Sequence, residues 1–409
     1  MMNILRANAK TLDIFNIIRE YGPISKSGVI ENVNLSRPTA TNVIETLKKE
    51  NFIREIGLDE SRGGRRSILL KVVPDRAYSM GIDIDLHGIT IVIMDIETNV
   101  VAKVTIPNKL NKEKSRVLED RAVIVERIIK VADKAIRKAR ILPEKIIGIG
   151  IGDVGMVDKA NGISISSTHY IPGWQDVPLK NILQRKFDIP VFLERDTNLM
   201  ALAERWYGAG ENVDNLLCIS LRIGIGLGIL INGQICGGVS GNAGEWGHSI
   251  VDKNGPRCIC GKYGCLETLV GSPAIVDRAR NLLKGEGKSL IRDLINNDFD
   301  NLTPEIVFEA ARNGDNLAIE VVNGIAEILG VEIANLINLF NPAIIILGGR
   351  FVKAEKVLLG TLTRVIKMYS TSFLFNQVKI KLGKLGNDSV ALGAASFAQH
   401  EIFNSHSTI

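Results

Sequence analysis

The chain opens on three short apolar patterns at helical spacing. Leu12, Ile14, Phe15, Ile17 and Ile18 recur every three to four positions until Gly22-Pro23 breaks the run. A second short helix is predicted over residues 26–33, followed by a tight turn at Asn34-Leu35. Ser36 is suited to cap a third helix, because its hydroxyl can accept from a first-turn amide, and Pro38 is tolerated where those amides lack helical partners. Ala40, Val43, Ile44 and Leu47 form the apolar stripe of this helix, which runs to about Lys49. Its other face carries Arg37, Thr39, Thr41, Asn42 and Glu45. Two β-rich runs, 52–56 and 67–72, then read as a hairpin with Arg62-Gly63-Gly64-Arg65-Arg66 at its tip.

After residues 74–79, which read as a linker, the pattern changes. Apolar strands are predicted at 81–85, 89–96, 148–152, 191–194 and 216–221, with a helix near 177–186. Strands alternating with helices argue for an α/β body in two lobes, 74–200 and 201–409, behind an N-terminal module of residues 1–73. The last helix is expected to return to the first lobe. The most apolar run, 219–231, is interrupted by Arg222 and by Gly224, Gly226 and Gly228, so it is too short and too broken to span a bilayer. No opening segment has the pattern of a secretory signal, and the expected location is the cytoplasm.

Charge changes the reading of the first module. The net charge is +5, and residues 1–72 hold 12 Lys and Arg against 8 Asp and Glu. A local basic surplus favours a polyanion through phosphate contacts and counterion release. Short hydroxyl, amide and guanidinium groups at a helix N-terminus suit base edges and phosphates of a major groove, which points to Arg37, Thr39, Thr41 and Asn42. Arg62, Arg65 and Arg66 on a glycine-rich hairpin tip suit a narrow minor groove. The module therefore reads as a winged helix-turn-helix with operator DNA as partner, working as a homodimer or homotetramer. The competing reading is a helical bundle that docks a protein, and the basic hairpin in that order of elements favours DNA.

Five cysteines do not make a disulfide scaffold, but three of them cluster. His248, Cys258, Cys260 and Cys265 supply one imidazole and three thiolates, a set suited to a closed tetrahedral site for one structural zinc ion per chain. The alternative is unligated core cysteines beside an unrelated histidine; the glycines and Pro256 between them describe a tight loop and favour metal. Cys218 and Cys236 read as buried apolar residues on strands.

Gly244-Glu245-Trp246-Gly247-His248, followed by Cys258-Ile259-Cys260-Gly261-Lys262-Tyr263-Gly264-Cys265-Leu266-Glu267, resembles the ExGH and CxCGxxGCxE signatures of the ROK family (repressor, open reading frame, kinase). Pro172-Gly173-Trp174 and the stretch from Asn341-Pro342 to Gly348-Gly349 fit the same family. The resemblance covers nearly the whole chain and implies an actin-like, ribonuclease-H-like sugar-kinase fold with a sugar between two lobes. The N-terminal module is similar to that of the repressor branch, which kinase members lack. By this resemblance Glu245, His248 and Glu267 are sugar-hydroxyl ligands, joined by Asp196, Asn198 and Arg195 of Glu194-Arg195-Asp196-Thr197-Asn198. Asp196 stands where the kinases keep a general base, and Arg195 replaces a sugar-binding Asn, which opens the possibility of a sugar phosphate as effector.

The two phosphate loops depart from the kinase pattern. Asp83-Ile84-Asp85-Leu86-His87 stands where kinases resemble DxGGT, and Asp85 sets a carboxylate beside the phosphates. Arg222-Ile223-Gly224-Ile225-Gly226-Leu227-Gly228 stands for GTGIGGG, with the phosphate-bonding Thr replaced by Ile. Phosphoryl transfer depends on positioning and electrostatics around the phosphates, so the expected function is a sugar-responsive repressor without kinase activity and with a vestigial base at Asp196. The alternative is an active sugar kinase that carries a DNA-binding module.

Overall fold

The structure is a computed structural model that describes residues 9–58, 67–111, 116–166, 171–222, 224–285 and 287–404. In the N-terminal module, α1 (Ala9–Tyr21), β1 (Ile24–Ser25), α2 (Lys26–Asn32), α3 (Arg37–Lys49), β2 (Ile53–Leu58) and β3 (Ile68–Val72) follow in chain order. Ser36 caps α3 as its sequence implies, accepting from the amide of Thr39 at 3.4 Å. The hairpin β2–β3 is antiparallel, and β1 adds a third strand beside β3, an element too short to be legible in the pattern. Ile14, Phe15, Ile18, Ile44, Leu47 and Phe52 close the core of this module.

The first lobe contains β4 (Tyr78–Asp85), β5 (Gly88–Asp95), β6 (Val100–Pro107), the short pair β7 (Leu110–Asn111) and β8 (Arg116–Val117), and α4 (Arg121–Ala139). Then come β9 (Ile146–Asp153), β10 (Met156–Asp158), β11 (Ile163–Ser166), β12 (Gln175–Val177), α5 (Leu179–Phe187), β13 (Val191–Arg195) and α6 (Asp196–Tyr207). Residues 74–79 are no loose linker. Pro74–Arg76 form one 3-10 turn, Ala77 is fully buried, and the strand already starts at Tyr78.

The second lobe is built from β14 (Leu216–Leu221), β15 (Ile225–Ile231), β16 (Gln234–Ile235), α7 (Leu266–Val270), α8 (Ser272–Leu282), α9 (Pro304–Arg312), α10 (Asn316–Phe340), β17 (Ile344–Gly349), α11 (Glu355–Tyr369) and β18 (Lys379–Leu382). Its strand order is β16-β15-β14-β17-β18, and that of the first lobe is β6-β5-β4-β9-β13. Each sheet is thus three antiparallel strands in a meander followed by two parallel ones. Two copies of one topology facing each other across a cleft are the actin-like arrangement. Cys218 is fully buried in β14, whereas Cys236 lies just past β16 and is half-buried, so only the first is a core strand residue.

The last helix, α12 (Ser389–Asn404), crosses back over the first lobe and packs on β4, β9 and α6. Gly81 and Gly150 make that close approach possible: a Cβ on either would stand 1.9 Å from a carbonyl oxygen of α12, Ala391 or Ala394. The far end of α12 enters the core of the N-terminal module. Phe403 is fully buried there, its ring 5.2 Å from that of Phe15 and 4.8 Å beneath the guanidinium of Arg19. The Asn16 side-chain amide donates to the Phe403 carbonyl at 2.8 Å. No described helix is long and apolar enough to cross a membrane.

Candidate functional site

On the outer module, α3 leaves Arg37 and Asn42 exposed and Thr39 and Thr41 half-buried. The Thr39 hydroxyl lies 2.8 Å from that of Ser36, so it serves the cap as well as the surface. Glu45 on the same face is paired with Lys26 and Lys48 at 3.3 and 3.2 Å, which removes much of its repulsion toward a polyanion. Arg62, Arg65 and Arg66 lie outside the described residues.

In the body, the strand ends and α-helix starts converge on one cleft of about 540 Å³, counting its open mouth. Asp196 is the first residue of α6 and accepts from the Thr197 amide at 2.7 Å. Burial pushes its carboxyl up, against the pull of Arg222 and Arg195. Glu267 enters from α7 and accepts from the Ile225 amide at 3.3 Å. Burial raises its carboxyl too, with His248 opposing. Gly224 must be bare for this: a Cβ there would lie 1.7 Å from the Glu267 carboxylate. Glu245 and His248 complete the wall. Of the residues expected to hold sugar, Asn198 alone is not on the cleft. It is fully buried, and its amide donates to Glu194 at 2.9 Å. The i, i+4 spacing from Glu194 to Asn198 could have flagged that pairing.

Two arginines decide the electrostatics. Arg222 reaches across the cleft to Asp83 and Asp85 of β4, both at 2.8 Å, and to Asp196 at 3.4 Å. Three carboxylates therefore share one guanidinium. Burial pushes Asp83 up to about 7 despite that partner, while the same arginine and His87 hold Asp85 below the ordinary range. Arg222 itself, which burial alone would lower, is held firmly protonated by its three carboxylates. The carbonyl of Arg222 accepts from Arg350 and from the Ser272 hydroxyl, both at 2.8 Å. The second arginine, Arg195, has a side chain only 5% exposed. Its guanidinium bonds Glu245 at 2.5 Å, the Asn242 carbonyl at 3.2 Å and the Ala243 carbonyl.

Sequence reasoning missed Asp153, the last residue of β9. It is fully buried, and neither carboxyl oxygen has a well-formed hydrogen bond among the described residues. Burial pushes it up to about 7; the nearby Ser164 hydroxyl works the other way and Asp196 adds to the rise. A carboxylate ending an otherwise apolar strand, Ile146–Asp153, is the signal that would have found it.

The metal-ligand set does converge. One donor atom from each of His248, Cys258, Cys260 and Cys265 lies within 4.8 Å of all the others. His248 Nδ1 is 3.6 Å from Cys258 Sγ, and Cys260 Sγ is 3.6 Å from Cys265 Sγ. A tetrahedral ion with bonds of about 2.0–2.3 Å needs ligand atoms at about this separation, so the four residues fit a metal ion. The loop is held tight by the bridge Arg257–Tyr263 and by Gly264, where a Cβ would collide with the Asp252 carbonyl at 1.4 Å. With Nδ1 facing the thiolates, His248 turns Nε2 toward Glu245, 3.7 Å away. One ring thus touches both the metal group and the cleft.

Residues 79–401 match the ROK family. The chain is 32% identical to a xylose repressor of Caldicellulosiruptor bescii over 370 residues, 90% of each protein. Among solved structures it is similar to a ROK family transcriptional regulator described as a homologue of the E. coli MLC protein, with a TM-score of 0.81, 26% identity and 96% of each chain covered. A ROK glucokinase from Streptomyces griseus in complex with glucose and AMPPNP gives a TM-score of 0.70 at 25% identity, covering 79% of this chain and 100% of that one. The duplicated sheet topology, the Glu245–His248 and Cys258–Glu267 motifs and these matches lead to one conclusion: this chain belongs to the ROK family.

Proposed function

We propose that the chain is a sugar-responsive transcriptional repressor that binds operator DNA through its N-terminal module, senses an effector in the interlobe cleft, and does not phosphorylate it. The observation that carries this reading is the continuous core joining the N-terminal module to the sugar-kinase-like body through Phe403. A xylose repressor that is 32% identical over 90% of both chains supports it. Loss of ATP binding is supported by Arg222, whose guanidinium sits among Asp83, Asp85 and Asp196 where a kinase would seat phosphates. In this reading zinc holds the loop carrying His248 and Glu267 in register with the cleft.

A route for the signal follows from α6 and α12. The first residue of α6, Asp196, belongs to the cleft, and its last, Tyr207, bonds the Ser396 hydroxyl of α12 at 2.7 Å. Trp206 stands 6.2 Å from the His400 ring on the same helix. One turn on, Phe403 meets Phe15 of α1. A sugar that favours one lobe arrangement would thereby bias the aim of α3, since a ligand shifts an equilibrium only by its differential affinity. The test is operator affinity by fluorescence anisotropy, with and without sugar, for the wild type, Asp196→Ala and Glu245→Ala. Both variants should keep sugar-free DNA binding and lose the response. A full sugar response in either would exclude the cleft as sensor, and sugar-dependent ATP turnover by the wild type would restore the kinase alternative.

A further inference from the structure

We propose that Arg222 is the hub of an ionic clasp, built from the chain's own side chains, that ties the two lobes together across the cleft and opposes their opening. The first observation is that two departures from the kinase pattern meet each other. Asp85 stands in the first phosphate loop and Arg222 in the second, each in the place of a glycine, and their side chains lie 2.8 Å apart. Taken singly, each only spoils a phosphate site. As a pair they join the end of β4 to the end of β14, and so one lobe to the other.

The two ends of Arg222 are held by different lobes. Its carbonyl is anchored in the second lobe, where it accepts from the Ser272 hydroxyl of α8 and from Arg350 Nε, both at 2.8 Å. Its guanidinium points to the first lobe. Nη1 donates to Asp83 Oδ1 at 3.1 Å and Nη2 to Asp83 Oδ2 at 2.8 Å. The same group reaches Asp85 and, at 3.4 Å, Asp196 at the start of α6. A forked contact between charged groups fixes orientation as well as distance. Arg350 makes a smaller bridge beside it: one arm pairs with Glu305 of α9, and another meets the His87 imidazole in the turn between β4 and β5. The Asp83 side chain is 4% exposed and those of Asp85 and Arg222 17% each, so salt screens these pairs weakly. Moving the lobes apart would take the guanidinium from both first-lobe carboxylates at once.

A second bond across the same cleft reports on opening. Asn242, in the second-lobe loop 236–245, pairs both ways with Val157 of β10 in the first lobe. The Val157 amide donates to Asn242 Oδ1 at 2.9 Å, and Asn242 Nδ2 donates to the Val157 carbonyl at 3.0 Å. This bond shares no side chain with the clasp, so it responds to the clasp only if the lobes move.

The experiment is amide hydrogen exchange on the full chain, resolved to residues 156–158, for the wild type, Asp83→Asn/Asp85→Asn and Arg222→Lys. The double variant removes both first-lobe charges with little change of shape and leaves Asp196 as the counter-charge of Arg222. Exchange at the Val157 amide should rise about tenfold or more in it. The rise should be smaller in Arg222→Lys, which keeps the charge and loses the fork. An unchanged Val157 amide in the double variant overturns the inference. So does faster exchange confined to the ends of β4 and β14, because the charges would then only pack those strand ends. Should the double variant not fold, Asp85→Gly decides on the same amide, since it leaves Arg222 two carboxylates: faster exchange supports the clasp, and unchanged exchange refutes it. The effector reading is tested separately, by operator affinity, and can fail without touching this result.

Discussion

Replacing Phe403 by Ala should disconnect the N-terminal module from the cleft. The ring is fully buried between Phe15 and the Arg19 guanidinium. Truncating a buried Phe costs about 3–5 kcal/mol. The aromatic pair and the cation over the ring account for roughly 1–2 kcal/mol of this beyond area burial. The loss falls on one joint. Ile14, Ile18, Ile44, Leu47 and Phe52 still close the module's own core, so docking should weaken before the module unfolds. The assay is operator anisotropy with and without the sugar, alongside amide hydrogen exchange on α1. Coupling between two sites is typically about 1–3 kcal/mol, or 5–150-fold in affinity. Phe403→Ala should bring that factor close to one, with faster exchange in α1 and unchanged sugar binding. Phe403→Leu, which keeps an apolar plug, should retain part of the response. If Phe403→Ala responds to sugar as strongly as the wild type, the signal does not pass through this joint.

Three further outcomes are expected. Cys260→Ser should lose the metal, read as about one zinc per chain by elemental analysis in the wild type, and should bind sugar more weakly because His248 and Glu267 are carried by the same loop; full metal content in the variant would refute the ligand set. Asp153→Asn should remove a pH-dependent penalty. The folded carboxyl titrates near 7 and the unfolded one near 3.8, so below about pH 4 both states are protonated and nothing is lost, whereas stability falls as pH rises toward 7, by at most about 4 kcal/mol. The variant should melt higher than wild type at pH 8 and alike at pH 4, and a lower melting point at pH 8 would show that the carboxylate is stabilised. Arg37→Ala and Asn42→Ala, both exposed on α3, should each lower operator affinity by about 1–3 kcal/mol and spare non-specific binding; equal losses on both kinds of DNA would move these side chains from base edges to the backbone.

By itself the sequence determined whatever is local. Helical spacing and the Ser36 cap located α1 to α3, and alternation of apolar strands with helices announced the two lobes. The compact spacing of His248, Cys258, Cys260 and Cys265 pointed to four side chains that converge and could hold a metal ion, because groups within about twenty residues on a tight loop need little help from the rest of the fold. The altered phosphate loops were also visible as residues. Their meaning was not, since charge in a buried cleft depends on partners far away in the chain. Arg222 and Asp83 are separated by 139 residues, and only the facing of two sheets tells whether that guanidinium meets a ligand or a carboxylate. Likewise, only the fold shows Arg195 bonded to Glu245. Tertiary structure alone also decided that α12 ends inside the N-terminal module, because a helix 387 residues from Asn16 reaches it through close strand-on-helix packing at Gly81 and Gly150 that no local pattern encodes.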